Sequence, residues 1–305
     1  MPIVLLYLKG IFMFLRSVKS SASQSSSHDW KRKIVKLTGF GVLASVLTVA
    51  QLHIVLAASL DEVKSRGYIA VATEDDFKPF EFVENGTPTG FDTELLGLVK
   101  KKMSIDIKQD IMPWPGILPG VTTGKYEAAV TAVLVTTERK GTFDFTTPVA
   151  ESTTYFATKK GSSVKSVDDL VGKVVGAQTG SAMLGDLKAL DSDLKKKHGG
   201  NGIKEIVEYQ SYPEAYQDVG NGRLDAVANT QINLNSLIQT RPDMFVLGAK
   251  VGSPVYIAWA LKKGNTGVLQ LLNGALLDIR KSGAMYQLQK KWFGATFESM
   301  PQSVN

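Results

Sequence analysis

From Tyr68 onward the chain alternates two kinds of stretch: short runs of small and β-branched residues, and longer ones whose apolar positions recur every three or four residues. Tyr68-Ile-Ala-Val-Ala-Thr73 is of the first kind and predicts a strand. Asp92 to Met103 is of the second kind, with Leu95, Leu96, Val99 and Met103 at helical spacing. Lys100–Lys102 stand near its end, where cations face the negative pole of a helix dipole. Ile105 to Ile111 alternates like a strand, Ser166-Val-Asp-Asp-Leu170 begins a short helix, and Lys173-Val-Val-Gly-Ala177 is a further strand. Ser211-Tyr-Pro-Glu214 has the serine and glutamate of a capping box, with proline in the first turn. Strand and helix signals in alternation predict an α/β architecture with largely parallel sheets.

A faint internal repeat refines that expectation. Gly124-Lys-Tyr-Glu-Ala-Ala-Val-Thr131 and Gly222-Arg-Leu-Asp-Ala-Val-Ala-Asn229 share a glycine, a base, a large apolar residue, an acid and an alanine-rich strand. With a chain of 305 residues, this favours two similar lobes. Ligands of open α/β sheets gather at the C-terminal ends of strands. Thr131–Leu134 and Asn229–Thr230 would then stand at equivalent rims, facing each other across a cleft that closes by a hinge.

The net charge of +6 comes from the N-terminal segment alone. Residues 1–58 hold seven Lys/Arg and one acid, whereas 59–305 hold 28 basic and 28 acidic residues. A balanced remainder does not imply nucleic acid as a partner. Trp30-Lys-Arg-Lys-Ile-Val-Lys36 is a basic n-region, and Leu37 to Leu56 is mostly apolar. Val55-Leu-Ala57 or Leu56-Ala-Ala58 supplies a small-residue cleavage site, so about 29–58 is an expected signal peptide, the alternative being a retained anchor. A second apolar stretch, Ile3–Leu15, precedes it; a start codon assigned too far upstream would explain residues 1–28. Cysteine is absent, which excludes disulfides, thiolate metal sites and a lipid-bearing cysteine. An exported chain without a lipid anchor points to the periplasm.

Ala72 to Phe82, Gly90 to Leu95, Pro113 to Pro119, and Thr136 to Lys140 with Phe143-Asp-Phe145 form an ordered set of motifs; together they resemble the periplasmic solute-binding proteins of ABC importers, in the polar amino acid-binding class known as bacterial extracellular solute-binding protein family 3. Ala72-Thr-Glu-Asp-Asp-Phe-Lys-Pro-Phe-Glu-Phe82 is similar to the family's first-strand loop, and Gly90-Phe-Asp-Thr-Glu-Leu95 to the signature that starts its first helix. Pro113-Trp-Pro-Gly-Ile-Leu-Pro119 resembles the aromatic turn, and Thr136-Thr-Glu-Arg-Lys140 with Phe143-Asp-Phe145 the arginine segment. Val167 to Gly176, Gly222-Arg-Leu-Asp225 and Lys291-Trp-Phe-Gly294 continue the match in order, over about residues 60–295. The resemblance implies a type II periplasmic-binding-protein fold: two parallel-rich sheets flanked by helices and joined by two hinge strands. Lobe 1 would be 59–150 with 255–303, and lobe 2 would be 155–250. It also implies a monomer without a cofactor that captures a small solute by closure and delivers it to an inner-membrane ABC permease complex.

The same resemblance assigns a site. Arg139 matches the arginine that holds the solute's carboxylate; taken alone, it would be a turn arginine paired with Glu138 or Asp144. A planar, bidentate guanidinium suits a carboxylate. Phe77 and Trp114 match the aromatics that sandwich the solute, and Glu74 an acid facing its distal group. Ala132 and Leu134 occupy the strand end where hydroxyl or backbone groups meet an α-amino acid head. Gln178-Thr-Gly-Ser-Ala-Met183 leads into a helix, so Thr179, Ser181 and the Ala182 N–H are candidates for an anion. Two positions depart from the pattern. Leu134 replaces a usual serine or threonine, and Thr230, beside Asn229, replaces the aspartate that takes the α-ammonium. A buried ammonium without a carboxylate is costly, which weakens a standard α-amino acid and leaves a carboxylate-bearing solute intact.

Related folds include a periplasmic dehydratase and a peptidoglycan lyase, but no HExxH, P-loop or GxSxG motif is present. His198 is the one histidine after the leader, in a lysine- and glycine-rich loop. A non-enzymatic binding protein is the leading expectation. A carboxylate catalyst such as Glu74, or a sensory role by docking on a receptor, is the alternative.

Overall fold

The computed structural model describes residues 60–305; the signal peptide expected within 1–58 lies outside them. The chain opens with helix α1 (Leu60–Arg66) and strand β1 (Tyr68–Glu74), then a small antiparallel sheet of β2 (Asp76–Phe77), β3 (Glu81–Glu84) and β4 (Thr87–Thr89). Helix α2 (Phe91–Lys102) begins at Gly90, whose φ of 111° and contact with the Phe80 carbonyl leave no room for a Cβ. Its spacing is the predicted one, burying Leu95, Leu96 and Val99. Next come β5 (Asp106–Met112), α3 (Ile117–Thr122), β6 (Ala128–Leu134), α4 (Thr137–Lys140), β7 (Phe143–Phe145) and β8 (Ala150–Ser152).

The chain then crosses to a second sheet. β9 (Thr154–Lys159), β10 (Val174–Gln178), α5 (Ala182–Lys197), β11 (Glu205–Tyr209), α6 (Tyr212–Asn221), β12 (Ala226–Thr230), α7 (Gln231–Thr240) and β13 (Phe245–Lys250) follow in order. β14 (Val255–Lys262) returns to the first sheet, and α8 (Thr266–Lys281) and α9 (Ala284–Phe293) pack back on α2. In α8, Val268, Leu272, Ala275, Leu276 and Ile279 form one buried face at helical spacing.

The first sheet has the order β5-β1-β6-β14-β7, with β8 also on β14, and the second the order β11-β10-β12-β9-β13. Only the core pairs of each are parallel: β1 with β5 and β6, and β10 with β11 and β12. β14 and β9 run antiparallel to their neighbours, so each sheet has one reversed strand while its other strands all run one way, as expected of parallel-rich sheets. The cause is topological: a strand entering from the other sheet needs no helical crossover and is free to run the opposite way. The two crossing segments touch, the Val251 and Gly252 amides both donating to the Thr154 carbonyl at 2.8 and 3.1 Å.

The repeat read in the sequence has a structural basis. Gly124 and Gly222 both adopt positive φ, at 79° and 75°. The acid three residues later then binds the amide of the neighbouring strand: Glu127 Oε2 accepts from Ala70 N at 2.7 Å, and Asp225 Oδ2 from Val174 N at 2.8 Å. The strands that follow share one register, Val71 opposite Ala128 and Val175 opposite Ala226. One further reading is corrected. Ser211 stands at the N-cap of α6, yet its side chain makes no capping bond, so the capping box is not formed.

Candidate functional site

β1 and β6 of the first sheet and β10 of the second end at one small cavity. Its volume is about 10 Å³, while small-molecule pockets usually enclose about 300–1,000 Å³. The cleft is closed, and an amino-acid-sized solute enters only if the two sheets part.

Arg139 stands at the wall. α4 places it: the Thr136 hydroxyl accepts from the Arg139 amide at 3.2 Å and caps this short helix. The guanidinium lies 5.3 Å from the Trp114 ring centroid, donates through Nη1 to the Leu134 carbonyl at 3.0 Å, and through Nη2 to the Gly180 carbonyl at 3.2 Å. The second bond joins the two sheets. Desolvation lowers the guanidinium's pKa to about 10, only slightly offset by Glu138. The expected alternative partner, Asp144, faces Lys263 instead, at 3.8 Å. Among the described residues Arg139 forms no ion pair, so its charge is held by two carbonyls and an aromatic face.

Opposite it, α5 begins with Ser181 as N-cap, its hydroxyl accepting from the Leu184 amide at 3.1 Å. Ser181, Ala182 and Met183 line the cavity, so the first turn of a 16-residue helix adjoins the guanidinium. Free amides at a helix start and a guanidinium together make an anion-binding corner. Gly180, at φ 70°, makes the turn that lets its carbonyl reach Arg139.

Glu74, at the end of β1, is 4% exposed and accepts a hydrogen bond from Gln178 Nε2 at 2.6 Å, a second bond between the sheets. Burial raises its pKa to about 8, against a smaller lowering by Gln178, with Asp75 and Asp76 adding to the rise. At neutral pH Glu74 is therefore mostly protonated, and the charge lining this cavity is positive. Behind it lies a buried acid pair. Asp92 accepts from Trp259 Nε1 at 2.6 Å, and Glu81 takes the Thr131 hydroxyl. Desolvation raises both, Asp92 to about 6 and Glu81 well above the usual carboxylate range, and the nearby Asp92 carboxyl adds to the rise at Glu81.

Of the residues chosen from sequence, Glu74, Phe77, Trp114, Ala132, Leu134, Arg139, Ser181 and Ala182 come together at this cavity. Thr179, Asn229 and Thr230 do not. Thr179 is tied through its amide to the Tyr209 carbonyl at 2.8 Å. Asn229 Nδ2 donates to the Tyr216 hydroxyl at 2.7 Å. Thr230 caps α7 and bonds Asn233, whose Nδ2 in turn donates to the Lys78 carbonyl at 2.7 Å, a third bond between the sheets. Sequence reasoning missed Gln178 and Met183, although both lie in the loop it singled out. The hydroxyls and amides of that loop suggest an anion, whereas a glutamine reaching across to a glutamate on the other sheet has no local signal. His198 lies outside this cavity, its Nε2 2.9 Å from Asp168 Oδ1. Among the described residues, no three His, Cys, Asp or Glu side chains converge as metal ligands.

The sequence profile of the bacterial extracellular solute-binding proteins, family 3, matches residues 69–295. The chain belongs to this family. Similar chains include the L-cystine-binding protein TcyJ of Escherichia coli (strain K12), 29% identical over 77% of this chain and 86% of that one. The probable amino-acid-binding protein YxeM of Bacillus subtilis (strain 168) is 31% identical over 82% and 94%. Among solved structures, an ancestral arginine-binding protein bound to arginine superposes with a TM-score of 0.68, at 32% identity, over 75% of this chain and 99% of that one. The protein thus has the two-lobed α/β fold and the substrate-binding role of an ABC importer component. Among the described residues no helix is long and apolar enough to cross a membrane.

Proposed function

We propose that the protein captures a small carboxylate-bearing solute, a polar amino acid or amino-acid derivative, in the periplasm and presents it to an inner-membrane ABC permease complex. It works as a monomer of two lobes, 59–150 with 255–303 and 155–250, that close by a hinge at the crossing segments. The observation that carries this reading is Arg139: a desolvated guanidinium with no carboxylate partner among the described residues, at the start of α5. A solute carboxylate takes the place of the Leu134 and Gly180 carbonyls and meets the Ser181–Ala182 turn, while Phe77 and Trp114 cover its apolar part. A solute without the carboxylate leaves that cation buried and unpaired, which is the source of selectivity.

The relatives bind cystine or arginine by name, yet this chain's ammonium end differs. Asn229 and Thr230 are engaged within the second sheet's own helices, and the acid at the cavity, Glu74, is mostly protonated at neutral pH. A free α-ammonium beside Glu74 would have to expel its proton. The favoured solute carries a carboxylate at the Arg139 end and no ammonium next to it.

Thermal-shift screening against amino acids, amines, opine-like conjugates and small carboxylates tests the class. Carboxylates raise the melting point by mass action and amines do not; a shift given by amines alone contradicts the proposal. A protonated, buried carboxylic acid in a closing cleft is also the equipment of a general acid, so turnover of a bound solute, lost in Glu74→Gln, would favour the dehydratase-like reading instead.

A further inference from the structure

Phe77 belongs to the walls of two cavities. Beyond the small one at Arg139, it lines a second of about 300 Å³. That volume reaches the lower bound for small-molecule pockets. Phe77 lines both cavities, and Tyr212 and Tyr216 continue from it as contacting rings along the second. The first two rings stand 5.7 Å apart, and the next two are stacked at 5.6 Å. Such a row of rings covers an apolar chain.

At the second cavity the polar groups are of both signs. Asp76 and Arg241 both line it, and among the described residues neither forms an ion pair. The Tyr216 hydroxyl accepts from Asn229 Nδ2, leaving its own proton to donate. Asp76 is partly withdrawn from water, and that desolvation is the main cause of its raised pKa. The uncharged Asn229–Thr230 pair supports this wall: Asn229 holds Tyr216, and Thr230 holds Asn233, which fixes the Lys78 backbone.

We infer that this cavity receives a zwitterionic α-amino-acid head, joined by an apolar tether along Phe77 and Tyr212 to the carboxylate held at Arg139. The head's carboxylate meets Arg241 and the Tyr216 hydroxyl, and its ammonium meets Asp76. The solute is then an ω-carboxylated amino acid, read from the far end. This rests on Arg139 as the carboxylate clamp, and it places the missing α-ammonium partner at Asp76.

Calorimetric titration of the full chain with L-α-aminoadipate, L-α-aminopimelate and L-α-aminosuberate, which differ only in tether length, tests it. The straight-chain monocarboxylates of equal length serve as controls. One amino diacid should bind at least about tenfold tighter than its control, as one good charge-paired contact allows. Asp76→Asn and Arg241→Gln should each remove most of that advantage while leaving the monocarboxylate unchanged. If no amino diacid exceeds its control, or if both variants weaken both probes alike, the inference is overturned. Arg139→Ala separates the two readings. Loss of both probes there, with no selective effect of Asp76→Asn or Arg241→Gln, overturns the second cavity alone. Retention of both probes in Arg139→Ala overturns the clamp.

Discussion

The rims of the two sheets are built from the same strand-and-acid unit but use their polar groups differently. At the first rim, Arg139 is held only by carbonyls and a ring, and Glu74 by one amide, so both keep capacity for a solute. At the second, the side-chain hydroxyls and carboxamide are already used: Ser181 caps α5, Thr230 caps α7 and Asn229 holds Tyr216. On the proposed reading the first rim supplies the carboxylate clamp, while Asn229 and Thr230 of the second serve as supports, holding the wall that carries Tyr216 and Asn233. Identical scaffolds do not imply identical duties, because a hydroxyl or carboxamide already spent on a helix cap or a neighbouring side chain has less left for a solute.

The largest expected effect lies at Glu74. Its folded-state pKa of about 8 exceeds the ordinary 4.5, so between those values the folded chain keeps a proton that the unfolded chain has released. Its contribution is fully present below about pH 4.5 and is lost as pH rises toward 8, on the order of 4–5 kcal/mol. Denaturant unfolding of wild type and Glu74→Gln at pH 5 and pH 8 should show a markedly smaller loss in the variant; equal losses would place Glu74 in solvent. Glu81 and Asp92 shift the same way but are common to both chains.

The caps come next and separate the rims. Thr230→Ala and Thr136→Ala should each cost about 1 kcal/mol of stability, as lost N-caps do. Only Thr136→Ala should also weaken binding of a simple monocarboxylate, because α4 carries Arg139 whereas Thr230 supports the second cavity. Equal binding losses from both would erase the distinction between rims. The smallest effect is expected from Leu134→Ser with Thr230→Asp, which restores the family's usual residues. Aspartate still caps α7, and affinity for ordinary α-amino acids should rise several-fold in calorimetry, since one charge-assisted bond contributes about 1.5–3 kcal/mol before its desolvation cost. No gain would show that position 230 stays out of the site even when the cleft opens.

Much of this was readable from the chain. Strong periodicity placed α2 and the β1, β5 and β10 strands within a residue or two, because a buried face leaves a repeating signature. Short ordered motifs point to Arg139, Trp114 and Phe77, which the fold brings to one cavity. The direction of β9 and β14 was not legible, because a strand's sequence does not state which sheet it joins. The second cavity was invisible for a related reason. Its walls come from residues 76–78, 212–216 and 233–241, which only closure brings together. Nor does sequence report that a threonine hydroxyl is already spent on a helix.

The central claim is that Arg139 pairs with a solute carboxylate, and affinity for a bound acid and its carboxamide, in wild type and Arg139→Ala, tests it most directly. Wild type should bind the acid at least about a hundredfold tighter than the amide, consistent with roughly 3 kcal/mol or more for a desolvated charge pair. In Arg139→Ala the acid should fall to the level of the amide. If the variant still prefers the acid by the same factor, the carboxylate is recognised elsewhere and the account of this cleft is wrong.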